Sequence, residues 1–415
     1  MSTVTASPPA QQMRAHQRSR NWLVLSLVAV AVVSAIRVFT GADGLDSTGT
    51  IRAAIIATCP ILMAALGGLW SERAGVVNIG LEGQMILGTW GAAYFTYYYG
   101  PWVGVLGAAL LGAIGGALHA LATVTFGVDH IVSGVAINII AAGAAQFLAE
   151  AYFADLEGGG FKQLTGLQQP GKITVPGLSD GLVSLADKHW FLVSDIAAFL
   201  GALVTDLSLL AVLVAVLLAG SAWLLWRTSF GLRLRSCGEN PAAAESLGVN
   251  VYTYKYVAVI VSGAMAGIGG CFLTLVSSSG FTTGQTNGRG FIGLAAMIFG
   301  NWRPGGTLVG ALMFGYTDSL QLRDSDSVHA LLLVVAIALL ALALWRFRQA
   351  RLTTAAVMAV FGLGFLLWFV LSDQVPKDFT GMTPYVATLL VLALASQRLR
   401  MPAADGLRYR RGQSM

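Results

Sequence analysis

Charge is scarce in this sequence. Asp, Glu, Lys and Arg together make up 11% of 415 residues, where a soluble domain carries roughly 25%, and that shortage excludes an ordinary water-soluble globular class. Cysteine is sparse too. Cys59, Cys237 and Cys271 stand in apolar or cytoplasm-facing segments with neither pairing nor metal-ligand spacing, so no disulfide framework and no metal centre are expected. Catalytic signatures are missing as well. There is no Gly-x-x-x-x-Gly-Lys-[Ser/Thr] phosphate loop, hence no ATP site of that kind. There is no His-Glu-x-x-His, Cys-x-x-Cys or Gly-x-Ser-x-Gly arrangement either, and the five histidines are scattered. No catalytic residue, cofactor or nucleic-acid partner is expected.

What abounds is apolar sequence: 56% hydrophobic residues and a mean hydropathy of +0.71. A run of about 20 apolar residues crosses a hydrocarbon core about 30 Å thick. Such runs lie near 22–39, 51–69, 76–99, 102–126, 131–153, 195–226, 254–278, 290–301, 305–320, 328–346, 353–371 and 383–397, with 290–301 and 305–320 short. The expected fold is all-α, a polytopic membrane protein with about 10–12 transmembrane helices. Arg14, Arg18 and Arg20 precede the first run at Trp22, and no small-residue cleavage site precedes the acidic loop Asp43 to Asp46, so that helix reads as retained.

If every run crosses, Arg14 to Arg20, Arg73, Arg227 to Arg235, Arg303, Arg346 to Arg351 and Arg398 to Arg411 fall on one side. The positive-inside rule makes that side cytoplasmic, with both termini on it. The chain thus divides into a cytoplasmic tail, 1–21, a transmembrane domain, 22–397, and a basic tail, 398–415, whose simplest partner is anionic lipid. Residues 154–194, too rich in Gly, Pro and polar residues to cross lipid, form an external loop. Residues 227–253 form a cytoplasmic one.

Two segments resemble each other. GVVNIGLEGQMILGTW, Gly75 to Trp90, recurs as GRGFIGLAAMIFGNW, Gly288 to Trp302, one residue shorter after the shared Ile-Gly-Leu. Each is followed by a proline and a glycine-rich stretch, Pro101 to Gly107 and Pro304 to Gly310. The deduced topology makes the copies run in opposite senses, and Gly-interrupted apolar segments in corresponding halves are the mark of an inverted-repeat transport pathway.

The cytoplasmic segment RTSFGLRLRSCGENPAAAESLGVNVYTYKY, Arg227 to Tyr256, passes through a Gly-Glu-Asn-Pro turn into a short Ala-rich helix. Asn240 suits the N-cap, Pro241 the first turn and Gly248 the C-terminal break. This run resembles the coupling loop of permeases from ATP-binding-cassette importers of the ribose and branched-chain amino acid permease superfamily. GLWSERAGVVNIGLEGQM, from Gly68, is similar to the signature of the nucleoside subgroup, whose importers work with a basic-membrane-protein-type lipoprotein. The resemblance covers roughly residues 50 to 345. It implies a bacterial plasma-membrane permease without its own ATPase, paired with ATP-binding-cassette subunits, a second and related permease, and an external substrate-binding lipoprotein. It implies ATPase coupling by Arg235, Gly238, Glu239, Asn240, Pro241, Ala243, Ala244 and Gly248. Nucleosides are the implied cargo, with a simple sugar or branched-chain amino acid as the alternative. From a different class, an ion-coupled secondary transporter would also suit the inverted repeat.

Candidate substrate residues lie where polar groups enter the repeats. Asn78 and Glu82, four apart, share one helix face, and an intramembrane carboxylate faces a cavity or a partner. Glu82 can equally satisfy neighbouring loop amides, and Asn78 can equally be a helix cap. Asn138 on the fifth span can bond a ligand or glue helices. Trp90 and Phe291 are candidates to stack on a planar base, or packing residues. Gln285 and Asn287, within the polar SSSGFTTGQTN stretch, complete the set.

Overall fold

The structure, a computed structural model, describes residues 31–45, 47–188, 190–321, 325–372, 374–376 and 399–412. The tail 1–21, the start of the first span and the span at 383–397 lie outside the described residues. The described chain is predominantly helical. In lipid a backbone without water must satisfy its own N–H and C=O groups, and a helix does so within one segment. Seven helices among the described residues are long and apolar enough to cross a membrane, and three shorter apolar ones stand at Ala31–Thr40, Val193–Val204 and Arg289–Phe299.

The chain forms two compact units. The first, 1–51 with 175–205 and 320–381, contains α1 (Ala31–Thr40), α6 (Leu178–Ala186), α7 (Val193–Val204), α14 (Ser325–Arg348) and α15 (Leu352–Leu371). Arg37 and Asp195, both buried, form a 2.8 Å ion pair joining α1 to α7. Ala186 packs on Ala197 and Ala198 between α6 and α7. His329 of α14 stacks on Phe369 of α15 at 4.5 Å.

The second unit, 52–174 with 206–319 and 382–415, holds most of α2 (Thr48–Arg73), α3 (Leu81–Tyr99), α4 (Pro101–Ala120), α5 (His130–Phe153), α8 (Leu209–Arg227), α9 (Ser229–Glu239), α10 (Pro241–Ser246), α11 (Val251–Phe272), α12 (Arg289–Phe299) and α13 (Pro304–Gln321). Short strands β1 (Gly159–Gly160), β2 (Gln163–Thr165) and β5 (Gly280–Thr282) pair antiparallel in the order β1-β2-β5, and β3 (Lys172–Ile173) pairs with β4 (Leu207–Ser208).

Glycine makes the centre of this unit. Helices in lipid gain little from hydrophobic association and pack instead through small residues that let backbones touch. On α4 and α11 those residues are Gly112 and Gly116 against Gly263 and Gly267; a Cβ on Gly263 would stand 2.2 Å from the Gly112 carbonyl oxygen. The pairing order shows α4 and α11 to be antiparallel, while Gly88 against Gly267 and Thr89 against Thr274 make α3 parallel to α11. Both α4 and α11 end in a π-helical turn, at Leu121–Thr125 and Leu273–Ser277.

Three sequence expectations need correction. The run 195–226 is not one span: α7 and α8 are separate helices, because Thr174 Oγ1 donates to the Asp206 carboxylate and accepts from the Asp206 amide, holding that residue at φ +49°. The span placed at 76–99 begins only at Leu81, after an irregular stretch of buried backbone. The 154–194 segment is not a plain loop, since it carries β1, β2, β3 and α6.

The repeated segments do run in opposite senses. Against α2, Leu81 of α3 lies at Gly67 and Gly68 and Met85 at Ala64, whereas Gly293 of α12 lies at Ile61 to Ala65 and Met297 at Gly68. Local structure nevertheless differs between the copies. Ile79 and Gly80 precede their helix, while Ile292 and Gly293 are inside theirs. Trp90 is mid-helix, while Trp302 follows α12 in a turn at φ +51°.

Candidate functional site

The N-termini of α3 and α12 meet at one side chain. Glu82, in the first turn of α3, accepts hydrogen bonds from the backbone N–H of Gly288 at 2.9 Å and of Gly290 at 2.7 Å, the cap and second residue of α12. Two helix N-termini carry partial positive charge, and the carboxylate answers both. Both Glu82 oxygens are thereby engaged.

Asn78 is fully buried. It donates to Gln84 Oε1 and Ser262 Oγ, each at 2.9 Å, and accepts from Gln84 Nε2 at 3.3 Å. Asn138 spans the break before α3, accepting from Gly83 N at 2.7 Å and donating to the Ile79 carbonyl at 3.0 Å. These groups hold the irregular stretch 74–80 in place of the helical bonds it lacks. His119 does similar work, with one ring nitrogen on the Val77 carbonyl and the other on Ser133 Oγ.

Above this junction lies a cavity of about 340 Å³, lined by Ile86 and Thr89 of α3, Ala142, Ala145 and Gln146 of α5, Lys162, Phe281, and Thr283 to Thr286. Its volume falls in the range of small-molecule pockets, about 300–1,000 Å³. The lining pairs an aromatic ring with amides, hydroxyls and one amine. Gln285 Nε2 donates to Thr274 Oγ1 at 2.6 Å and its Oε1 accepts from Thr282 N at 3.1 Å, so it both lines the cavity and shapes the 282–286 turn.

Of the seven substrate candidates read from the sequence, Gln285 alone lines this cavity. Trp90 stands behind the wall: it stacks on Phe153 at 5.7 Å, which meets Phe281 edge-on at 5.5 Å, and on Tyr94 at 5.1 Å. Asn287 is exposed at φ +43° in the turn before α12. Phe291 is half-exposed and outside the lining. Gln146 and Phe281 line the cavity without being among the sequence candidates, although a glutamine inside an apolar span is a signal. Among the described residues no three His, Cys, Asp or Glu side chains are placed to hold a metal ion.

At the other end of the unit, α9 and α10 fold against the end of α2. Asn240 Oδ1 caps α10 by accepting from Ala243 N at 2.9 Å, Pro241 opens the helix, and Gly248 takes φ +81°, which favours glycine. Ala244 is buried against Cys237 and Val251. Arg235 donates to the Leu225 carbonyl at 3.0 Å and, like Arg73, lies over the Trp226 ring. Arg73 donates to the Trp302 carbonyl at 2.7 and 2.9 Å and stands 3.6 Å from Glu239, while Trp302 Nε1 donates to Glu72 at 2.6 Å.

The charge of the tail after 398 suggests only an attraction to lipid, yet residues 399–412 fold onto this face. Ala404 N donates to the Gly238 carbonyl, close to α9's end, at 2.9 Å, Ala403 N donates to Glu239 at 3.3 Å, and Arg400 N to Asn301 Oδ1 at 2.7 Å. Asp405 is buried beside Glu72, and burial pushes its carboxyl up to about 7. Glu245 is held below the usual carboxylate range by a hydrogen bond from Tyr409.

A family profile described as branched-chain amino acid transport system, permease component, matches residues 50–344. The nucleoside ABC transporter permease protein NupC of Lactococcus lactis subsp. cremoris is 34% identical over 363 residues, 86% of this chain and 94% of that protein. The guanosine ABC transporter permease protein NupQ of Bacillus subtilis is 34% identical over 371 residues, 88% and 97% of the two chains. A Haloferax volcanii protein whose name assigns it to a glucose ABC transporter is 35% identical over 288 residues, 69% and 80%. No solved structure matches. A membrane-spanning helical chain with that match over most of its length belongs to the branched-chain amino acid transport system permease family.

Proposed function

We propose that the chain is the transmembrane permease subunit of an ATP-driven importer for nucleosides. The observation that carries this reading is the 34% identity, over nearly the whole length of each, to two permeases named for nucleosides and for guanosine. The cavity is compatible with it. Phe281 offers a face to a base, since stacking tolerates any planar ring, and Gln146, Gln285 and the threonines offer partners for ribose and base edges.

In this reading the cavity opens outward and takes cargo from an external substrate-binding lipoprotein. Both termini and the α9–α10 loop are cytoplasmic, a second, related permease completes the membrane pair, and separate ATPase subunits supply the energy. The relative named for glucose keeps a sugar as the second reading. Uptake by cells expressing the chain with its partner subunits decides between them. Labelled guanosine should accumulate and excess nucleoside should block it, while excess glucose or leucine should not. Competition by glucose alone would transfer the assignment to sugars, and uptake by the purified chain alone, driven by an ion gradient, would overturn the importer.

A further inference from the structure

The last described segment of the chain is fixed in register to the loop that couples to the ATPase. Glu245, on the short helix α10, is held three ways: by Arg411 Nε at 3.1 Å, by the Gly412 amide at 3.3 Å, and by the Tyr409 hydroxyl. Tyr409 meets Tyr252 at the start of α11 at 5.4 Å. Further back, Ala404 and Ala403 bond the end of α9, Asp405 lies against Glu72 at the end of α2, and Arg400 N bonds the turn after α12. A tail needed only to attract lipid requires charge and no register. This one is pinned by backbone hydrogen bonds to particular residues.

The pinning also changes what the face presents. Glu239 and Glu245 are both spent on internal contacts, so the acidic residues of the loop are engaged by the molecule itself. Leu247, 86% exposed at the end of α10, and Leu407 face solvent, and Arg233, Arg400, Arg408 and Arg410 are exposed as well. The side chains that the loop and the strap leave exposed here are therefore apolar or basic.

We propose that residues 399–412 are the second half of the ATPase-docking surface: they position α10 and, through Leu407, Arg408 and Arg410, bind an ATPase pocket that is apolar at its centre and edged with carboxylates. This rests on the importer reading above. Interfaces of this kind place apolar anchors inside a charged rim, and the strap would tie docking to the ends of α2 and α12, the second of which meets Glu82 at its other end.

The test uses the full chain in nanodiscs, titrated with the labelled ATPase subunit of the same importer, in neutral phosphatidylcholine and again with anionic phosphatidylglycerol. The double substitution Arg408→Glu with Arg410→Glu should weaken ATPase binding about tenfold or more in both lipids. Glu245→Arg should weaken it, and adding Arg411→Glu should restore it, because the swap rebuilds the pin; a tail that merely aids folding would not recover in that way. Leu247→Asp is the control for the parent reading. If Leu247→Asp abolishes binding while the strap variants bind normally, the strap proposal is wrong and the coupling loop stands. If Leu247→Asp is also silent, the coupling reading fails and takes the strap with it. A loss confined to anionic nanodiscs would make the segment a lipid contact and overturn the proposal.

Discussion

The Glu82 carboxylate and the Gly290 amide are joined by a 2.7 Å hydrogen bond, so a side chain from one copy of the repeat closes the helix of the other. A Cβ on Gly290 would stand 2.6 Å from the Glu82 backbone, so the approach requires glycine there. Hydrogen bonds to a charged group contribute about 1.5–3 kcal/mol each. Glu82→Gln keeps the shape but sets an amide N–H against backbone donors. It should lower the thermal unfolding midpoint in detergent and reduce the amount of folded transporter, with the KM of the remainder unchanged. A raised KM at normal stability would show instead that Glu82 meets the cargo.

The antiparallel contact of α4 and α11 leaves no room for side chains at Gly112 and Gly263. Gly263→Val should cost about 1–3 kcal/mol or more by overpacking. Gly143→Ala, on α5 with open space around it, should stay within about 0.5 kcal/mol of wild type. Size-exclusion profiles and melts of the two variants side by side measure the contrast.

For the cavity, Gln146 is the cleanest probe because it is exposed to the pocket. Gln146→Leu should raise the KM for nucleoside about tenfold, the equivalent of about 1.4 kcal/mol, without moving the melt. Phe281→Ala removes a ring that also packs on Phe153, so it should raise the KM and lower stability together. A normal KM in both variants places the cargo elsewhere.

The Asp405 carboxyl, raised by burial to about 7, gives strap attachment a pH dependence. The docked state holds a proton that the released state gives up near the ordinary value of 3.8, so attachment is strongest at low pH. It weakens as pH rises from about 4 through about 7, by up to about 1.4 kcal/mol per unit. Protection of the Ala404 amide, measured as hydrogen exchange relative to the base-catalysed intrinsic rate at each pH, should therefore fall across that window, and Asp405→Asn should flatten the profile. A pH-independent protection in the wild type would contradict this.

Composition and apolar run length determined that the chain is a helical membrane protein, because lipid penalises charge and unpaired backbone wherever the chain folds. The cap at Asn240, the proline start at 241 and the glycine stop at Gly248 were legible for another reason: they are contacts within a few residues. The opposite senses of the two repeat copies also followed from counting crossings. Local pattern could not tell that Thr174 would stop a helix at Asp206, 32 residues away, nor that Gly290 would carry the partner of Glu82, 208 residues on. The cavity was hidden likewise, since Gln146, Lys162, Phe281 and Gln285 come from three separate stretches that adjoin only when β2 pairs with β5 and α5 packs on α3. Nor could the tail be placed by its charge. Arginines suit lipid and protein equally, and the backbone bonds of Ala403 and Ala404 to α9 chose between them through the fold.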